Sequence, residues 1–247
     1  MTSVLSSKGF FFTILFIGLA SQEIDFIKEI DNSYSLAKSN HDLYKLELLI
    51  KESLKTFPES DKLFWRLGRV YFKLGEKSNP ESEKIQYFTL CMAQTEKAIL
   101  INTESANGYY FKGLCNGVLG QTQGIWSSLG IIEPFKNDME ITIRLDPSVE
   151  EGGPYRALGN LYLKLPYILG GNLDRSIEYF QKAIQLGTDY GENYLGLAEA
   201  YIEKRDFVLA RDTLNTLLNM KLRMQKEEFV LKWKTEALNL LRKIQNQ

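Results

Sequence analysis

Histidine is almost absent from this 247-residue chain: His41 stands alone, and Cys91 and Cys115 are the only cysteines. Three soft ligands are too few for a tetrahedral zinc site, and one imidazole leaves the nucleophile triads nearly empty. No metal and no cofactor is expected, and hydrolase readings start weak. An excess of one charge is also missing, since 30 Lys and Arg against 31 Asp and Glu leave −1. No basic field exists to hold nucleic acid or an anionic membrane. Prolines number six, and Pro58, Pro80, Pro147, Pro154 and Pro166 fall at the edges of periodic segments, where helices start or stop. Strand-like alternation is absent. Helical periodicity runs through nearly all the rest, which sets the class as all-α.

Long apolar runs are lacking apart from Gly9 to Ala20, and those 12 residues follow Lys8. As a helix they reach about 18 Å against a hydrocarbon core of about 30 Å. Gly18 and Ala20 are small residues at the positions read before cleavage at Ser21. The expectation is a signal peptide over 1–20, a single mature domain over 21–247, and a periplasmic or secreted location. An uncleaved membrane anchor is the less favoured alternative. Cysteines in such a compartment are free to pair. Both lie in apolar helical stretches, so two separate buried thiols are the preferred reading and a disulfide the other.

The helices repeat. Phe64, Leu67, Gly68 and Tyr71 follow the large-x-x-Leu-Gly-x-x-Tyr spacing of the first helix of a tetratricopeptide repeat. Tyr155 to Tyr162 and Tyr194 to Tyr201 repeat that spacing, while Ser176, Phe180 and Ala183 fit the second helix. Small residues let two antiparallel helices approach closely, and the bulky ones fill the gap between hairpins. From the last small residue of one hairpin to the Gly or Ala of the next is 15 residues at Ser53 to Gly68, Ala98 to Gly113 and Ala183 to Ala198. Thr142 to Gly159 is 17, which loosens that junction by two residues.

A tetratricopeptide-like array of about five hairpins follows, at about 23–58, 61–103, 106–147, 152–188 and 191–222. A C-terminal helix caps it with the stripe Phe229, Leu231, Trp233, Leu238, Leu241 and Ile244. Within three hairpins the chain is longer than the repeat requires. Those insertions place extra structure along one edge, with Trp126, Tyr167, Gly170 and Gly171 as contact or lid residues.

The stretch Glu151-Gly-Gly-Pro-Tyr-Arg-Ala-Leu-Gly, continuing through Leu165-Pro-Tyr-Ile-Leu-Gly-Gly171 to Ala183, resembles the signature of the T-component of TRAP transporters, a periplasmic tetratricopeptide-like family. A weaker similarity, over Leu63 to Arg69, is to the regulator-of-microtubule-dynamics proteins. The first resemblance implies a trimeric accessory protein that partners a periplasmic solute-binding protein and helps move a small organic acid or hydrophobic ligand. The alternative function is a protein-interaction scaffold that binds peptides or partner proteins.

Repeat positions 5, 9 and 12 of a tetratricopeptide hairpin look into its concave face. They are Trp65, Arg69 and Phe72, then Tyr110, Leu114 and Gly117, then Arg156, Asn160 and Leu163. Aromatic walls suit an apolar body and arginines suit carboxylates. Catalysis is not expected: Asp138 and Glu140 lie in a repeat helix, and neither Gly152-Gly153 nor Gly170-Gly171 fits a phosphate-cradling motif.

Overall fold

The computed structural model describes residues 6–122, 125–220, 227–245 and 247, with side chains described from Ser21 on except 125–128 and 227–228. The described residues form eleven α-helices and one 3-10 turn: α1 (Ser6–Leu36), α2 (Asn40–Thr56), α3 (Asp61–Lys77), α4 (Glu81–Ile101), α5 (Ala106–Thr122), α6 (Ile125–Leu145), α7 (Val149–Lys164), the turn Tyr167–Leu169, α8 (Leu173–Leu186), α9 (Gly191–Glu203), α10 (Phe207–Asn219) and α11 (Glu227–Lys243). The all-α tetratricopeptide-like class read from the periodicity is therefore correct. No described helix is long and apolar enough to cross a membrane. The chain forms two compact units, 1–131 and 132–247.

In unit 1, the buried sides of α1, α2 and α3 share one core with α4 and α5, built on Ile30, Leu46, Ile50, Leu67, Leu74 and Phe88. Helix α2 starts on a reciprocal cap. The Ser39 hydroxyl accepts from the Asp42 amide while the Asp42 carboxylate accepts the Ser39 amide at 2.9 Å. That carboxylate also accepts the Lys38 amide, and these bonds hold its pKa down at about 2. Unit 2 has its own core around Phe180, Leu195, Ala198, Leu214 and Trp233.

The 15-residue register has a local cause. After α2, α4 and α8 the chain makes the same four-residue turn. The Phe57, Asn102 and Gly187 amides donate back to Ser53, Ala98 and Ala183 at 2.9 Å. Ser60, Ser105 and Tyr190 then bond to those three turn residues at 3.0–3.2 Å, and the next helix begins. At the fourth junction the two extra residues enter a left-handed turn, in which Glu150, Glu151 and Gly152 have φ of 47°, 58° and 76°. Two β-carbon-bearing residues in that region are costly and persist only where their surroundings hold them. Arg156 does so: its Nη2 donates to the Glu150 carbonyl at 3.1 Å and its Nη1 to Asn193 Oδ1 at 2.9 Å. Asn193 Nδ2 in turn donates to the Glu151, Ala183 and Gly187 carbonyls at 3.1–3.2 Å.

Hairpins close over small residues. A methyl group on Gly68 would meet Thr95 Cγ2 at 2.6 Å, and one on Gly159 would meet the Phe180 ring at 3.0 Å. The Ser176 hydroxyl donates to the Gly159 carbonyl across the same crossing at 2.9 Å.

Three expectations change. The first two insertions lengthen helices instead of building an edge: α3 and α5 have 17 residues, α4 and α6 have 21, and α4 follows α3 after only Ser78, Asn79 and Pro80. The capping stripe is also shifted, because Leu231 and Leu238 are 69% and 44% exposed while Trp233, Ala237 and Ile244 are buried. The four-residue step from 233 to 237 meets the core, and Ala237 carries too little side chain to show in an apolar stripe. Finally, Cys91 and Cys115 are not separate thiols but a disulfide joining α4 to α5.

Gly159→Leu overpacks the crossing with Phe180 and should cost about 1–3 kcal/mol in urea unfolding. Unchanged stability would break the repeat assignment. Arg156→Ala removes the clamp on the left-handed turn and should cost about 2–3 kcal/mol in the same experiment, the range for losing charged hydrogen bonds at a buried site. A variant as stable as the wild type would show that the turn holds itself.

Candidate functional site

Ser60 starts α3, its hydroxyl accepting from the Leu63 amide at 3.3 Å while also bonding the Glu23 carboxylate of α1. From there Trp65, Arg69 and Phe72 come off one side of the helix, as three- and four-residue steps require. The Trp65 ring lies parallel to Phe111 of α5 with centroids 6.2 Å apart, and Phe72 meets Phe88 at 5.7 Å and Phe111 at 6.2 Å. Tyr110 packs edge-on against Phe111 at 5.1 Å and is buried, while Leu114 is half-buried beside them.

Cations cover this aromatic bed. The Arg66 guanidinium sits 4.0 Å from the Trp65 ring centre, and that of Arg69 is 5.2 Å from Trp65 and 3.9 Å from Tyr34. Both grip Asp31 of α1. Arg66 donates to its two oxygens from Nε at 2.9 Å and Nη2 at 2.5 Å, and Arg69 donates from Nη2 at 2.8 Å. Burial pushes the Asp31 carboxyl up, but the Arg66 hydrogen bond and charge, with those of Arg69, outweigh it and hold the group below its ordinary value. A depressed carboxylate stabilises the fold above its ordinary titration range, and that contribution is lost as pH falls through the folded-state value.

The remaining groove residues belong to unit 2. Arg156 has its guanidinium on the Glu150 carbonyl and Asn193, and lies 4.4 Å over the Tyr190 ring. Asn160 is half-buried, and Leu163 packs against the unit 2 core. On the insertion edge, the Trp126 side chain lies outside the described residues. Tyr167 and its neighbour Ile168 are each 88% exposed. They stand on a rigid turn: the Gly170 and Gly171 amides donate to the Tyr167 and Pro166 carbonyls at 3.0 Å. Gly170 has φ of 94°, and Gly171 is pressed against the Leu165 carbonyl.

Sequence reasoning missed Asp31, Tyr34, Arg66 and Phe111. Arg66 and Phe111 are next to residues it chose. Asp31 and Tyr34 come from a first hairpin without the Leu-Gly-x-x-Tyr signature, so only their three-residue spacing marked them. Among the described residues no three His, Cys, Asp or Glu side chains converge as a metal site. Chemically, two guanidiniums on an aromatic bed suit an anionic group with paired oxygens, a carboxylate or a phosphate.

Comparison with known proteins corrects the family expectation. The family model described as Regulator of microtubule dynamics protein 1-3 matches residues 26–151, and a tetratricopeptide repeat model matches 167–221. Regulator of microtubule dynamics protein 2 of Homo sapiens is 25% identical over 177 residues, which is 63% of this chain and 41% of that protein. Regulator of microtubule dynamics protein 1 of Bos taurus is 24% identical over 217 residues, 81% of this chain and 65% of that one. The chain thus spans less than two thirds of either relative. In fold it is similar to a thermophilic tetratricopeptide-repeat protein of Thermus thermophilus, with a TM-score of 0.68 at 16% identity, covering 89% of this chain and 99% of that one. It is also similar to Pseudomonas aeruginosa pilF, with a TM-score of 0.58 at 15% identity and coverage of 93% and 95%. The TRAP-component resemblance extends over about residues 60–220, but the motifs that carried it, Glu151 to Ala183, lie almost entirely outside the segment that decides the family. The glycines and proline that carried it serve the left-handed turn and the 3-10 turn of unit 2. The weaker resemblance, at Leu63 to Arg69, lies inside the matched segment, and the chain belongs to the regulator of microtubule dynamics protein family.

Proposed function

We propose that this chain is a protein-interaction scaffold, in which the first helices of successive hairpins in unit 1 present Arg69, Phe72 and Leu114 to a partner protein over a floor formed by the buried Trp65. The observation that carries the reading is that Phe72 and Leu114 keep part of their surface open on a stacked helical frame, next to the 11% of the Arg69 side chain that reaches solvent. Residues needed only for packing would be closed over, and stacked-hairpin proteins bind through such faces. The tetratricopeptide-like fold supports a protein partner in general, and nothing supports solute transport. The Cys91–Cys115 bond favours an oxidising compartment, in keeping with the apolar run before Ser21.

A photo-crosslinking residue at position 114 should capture a discrete partner in cells of the native host. The same residue at Glu52, 66% exposed on the outer side of α2, should not. Equal capture at both positions, or none at 114, would remove this face as the binding surface. The mature chain isolated from its host should begin within a residue or two of Ser21 by mass spectrometry, and an intact Met1 would defeat export with cleavage.

A further inference from the structure

The contact between Asp31 and the two arginines does more than join α1 to α3. We propose that Arg66 and Arg69, backed by Trp65 and Tyr34, form a carboxylate-binding site that Asp31 fills from within the chain, and that an acidic peptide segment of a partner takes the site by displacing it. The proposal rests on the scaffold reading and names the chemistry of its partner.

Three features support it. The first is donor geometry: two guanidiniums converge on one carboxylate with three N–H donors, at 2.5–2.9 Å, and any carboxylate placed there meets the same fork. The second is access. The arginine side chains are 10% and 11% exposed and held against rings, whereas the Asp31 side chain is 40% exposed. The acid stands at the mouth and the cations form the floor, an arrangement in which the acid leaves and the floor stays. The third is preorganisation. Arg66 Nη1 also donates to the Lys62 carbonyl at 3.1 Å, and its guanidinium lies over the Trp65 ring, so its fork keeps its direction without Asp31. An incoming carboxylate meets donors already ordered, which lowers the entropic cost of binding. The internal acid sets the competition: a partner's acid binds with its own affinity reduced by the fraction of molecules in which Asp31 is in place.

The test is fluorescence anisotropy with the purified chain, using a labelled ten-residue peptide alternating Glu with Leu and Phe, its Gln-for-Glu counterpart, and a labelled single-stranded oligonucleotide. Asp31→Asn should bind the acidic peptide at least fivefold more tightly than the wild type, with no change for the Gln peptide. Arg69→Gln should lose tenfold or more in either background. If Asp31→Asn binds no better than the wild type, the contact is structural only and the proposal falls. Tighter binding of the oligonucleotide than of the peptide would assign the site to phosphate and overturn it as well. Should Asp31→Asn not fold by circular dichroism, the wild type decides: selective binding of the Glu peptide that is lost in Arg69→Gln supports the site, and equal binding of both peptides removes it. Capture at position 114 with no response to these variants leaves the scaffold standing without this site, whereas no capture at 114 removes the scaffold.

Discussion

The fold depends on the distance of closest approach between two helices of a hairpin, and that distance is set where one helix has almost no side chain. At Gly68 the facing atom is a Thr95 methyl, at Gly159 the ring of Phe180, and in the last hairpin Ala198 takes the same place, fully buried. Close packing at these points fixes how the helices cross, and the crossing decides which residues of the first helix point outward. The aromatic and cationic face of α3 follows from that geometry. Trp65 and Arg69 lie three residues before and one after Gly68, so their direction is settled by the contact Gly68 makes.

Polar groups play two parts in the two units. In unit 2, Arg156 and Asn193 satisfy backbone carbonyls of a turn that two glutamates would not adopt unaided, and the charge is spent on holding shape. In unit 1, Arg66 and Arg69 hold another side chain, one that is itself partly in water. Both clusters bury arginine to a similar depth. What separates them is the balance of acceptors: Arg156 is held by backbone carbonyls and Asn193, with the Glu192 carboxylate farther off at 3.7 Å, whereas Arg66 and Arg69 both close on the one side-chain carboxylate of Asp31.

Much of this was legible in the sequence because it is written in local spacing. The equal junctions became identical four-residue turns, and the irregular one became the left-handed turn, since an interval between helices counts residues and a turn consumes them. What was hidden depended on contacts distant in sequence. Asp31 lies 35 residues from Arg66, and the disulfide partners are 24 apart, so no periodic signal marks either pair. The insertions misled for another reason: extra residues between two helices lengthen the helices as readily as the loop, and α3 to α6 took them as added turns. Arg156 was read as facing a groove from its repeat position alone, while its partners Glu150, Glu151 and Asn193 arise from a turn and from the next hairpin. The capping helix showed the same limit, because Ala237 fills a buried position without looking apolar.

Stacked hairpins hold one another only through nearest-neighbour contacts, so such arrays lose order from their ends one hairpin at a time. The Cys91–Cys115 bond ties the second helix of one hairpin to the first helix of the next. Cross-linking residues that far apart lowers the entropy of the unfolded chain by an amount worth about 3–4 kcal/mol in the loop-closure model. Separation of α4 from α5 is therefore denied while the bond lasts. Helices α4 and α5 stay joined as one block within unit 1, and loss of order there starts in the helices outside that pair.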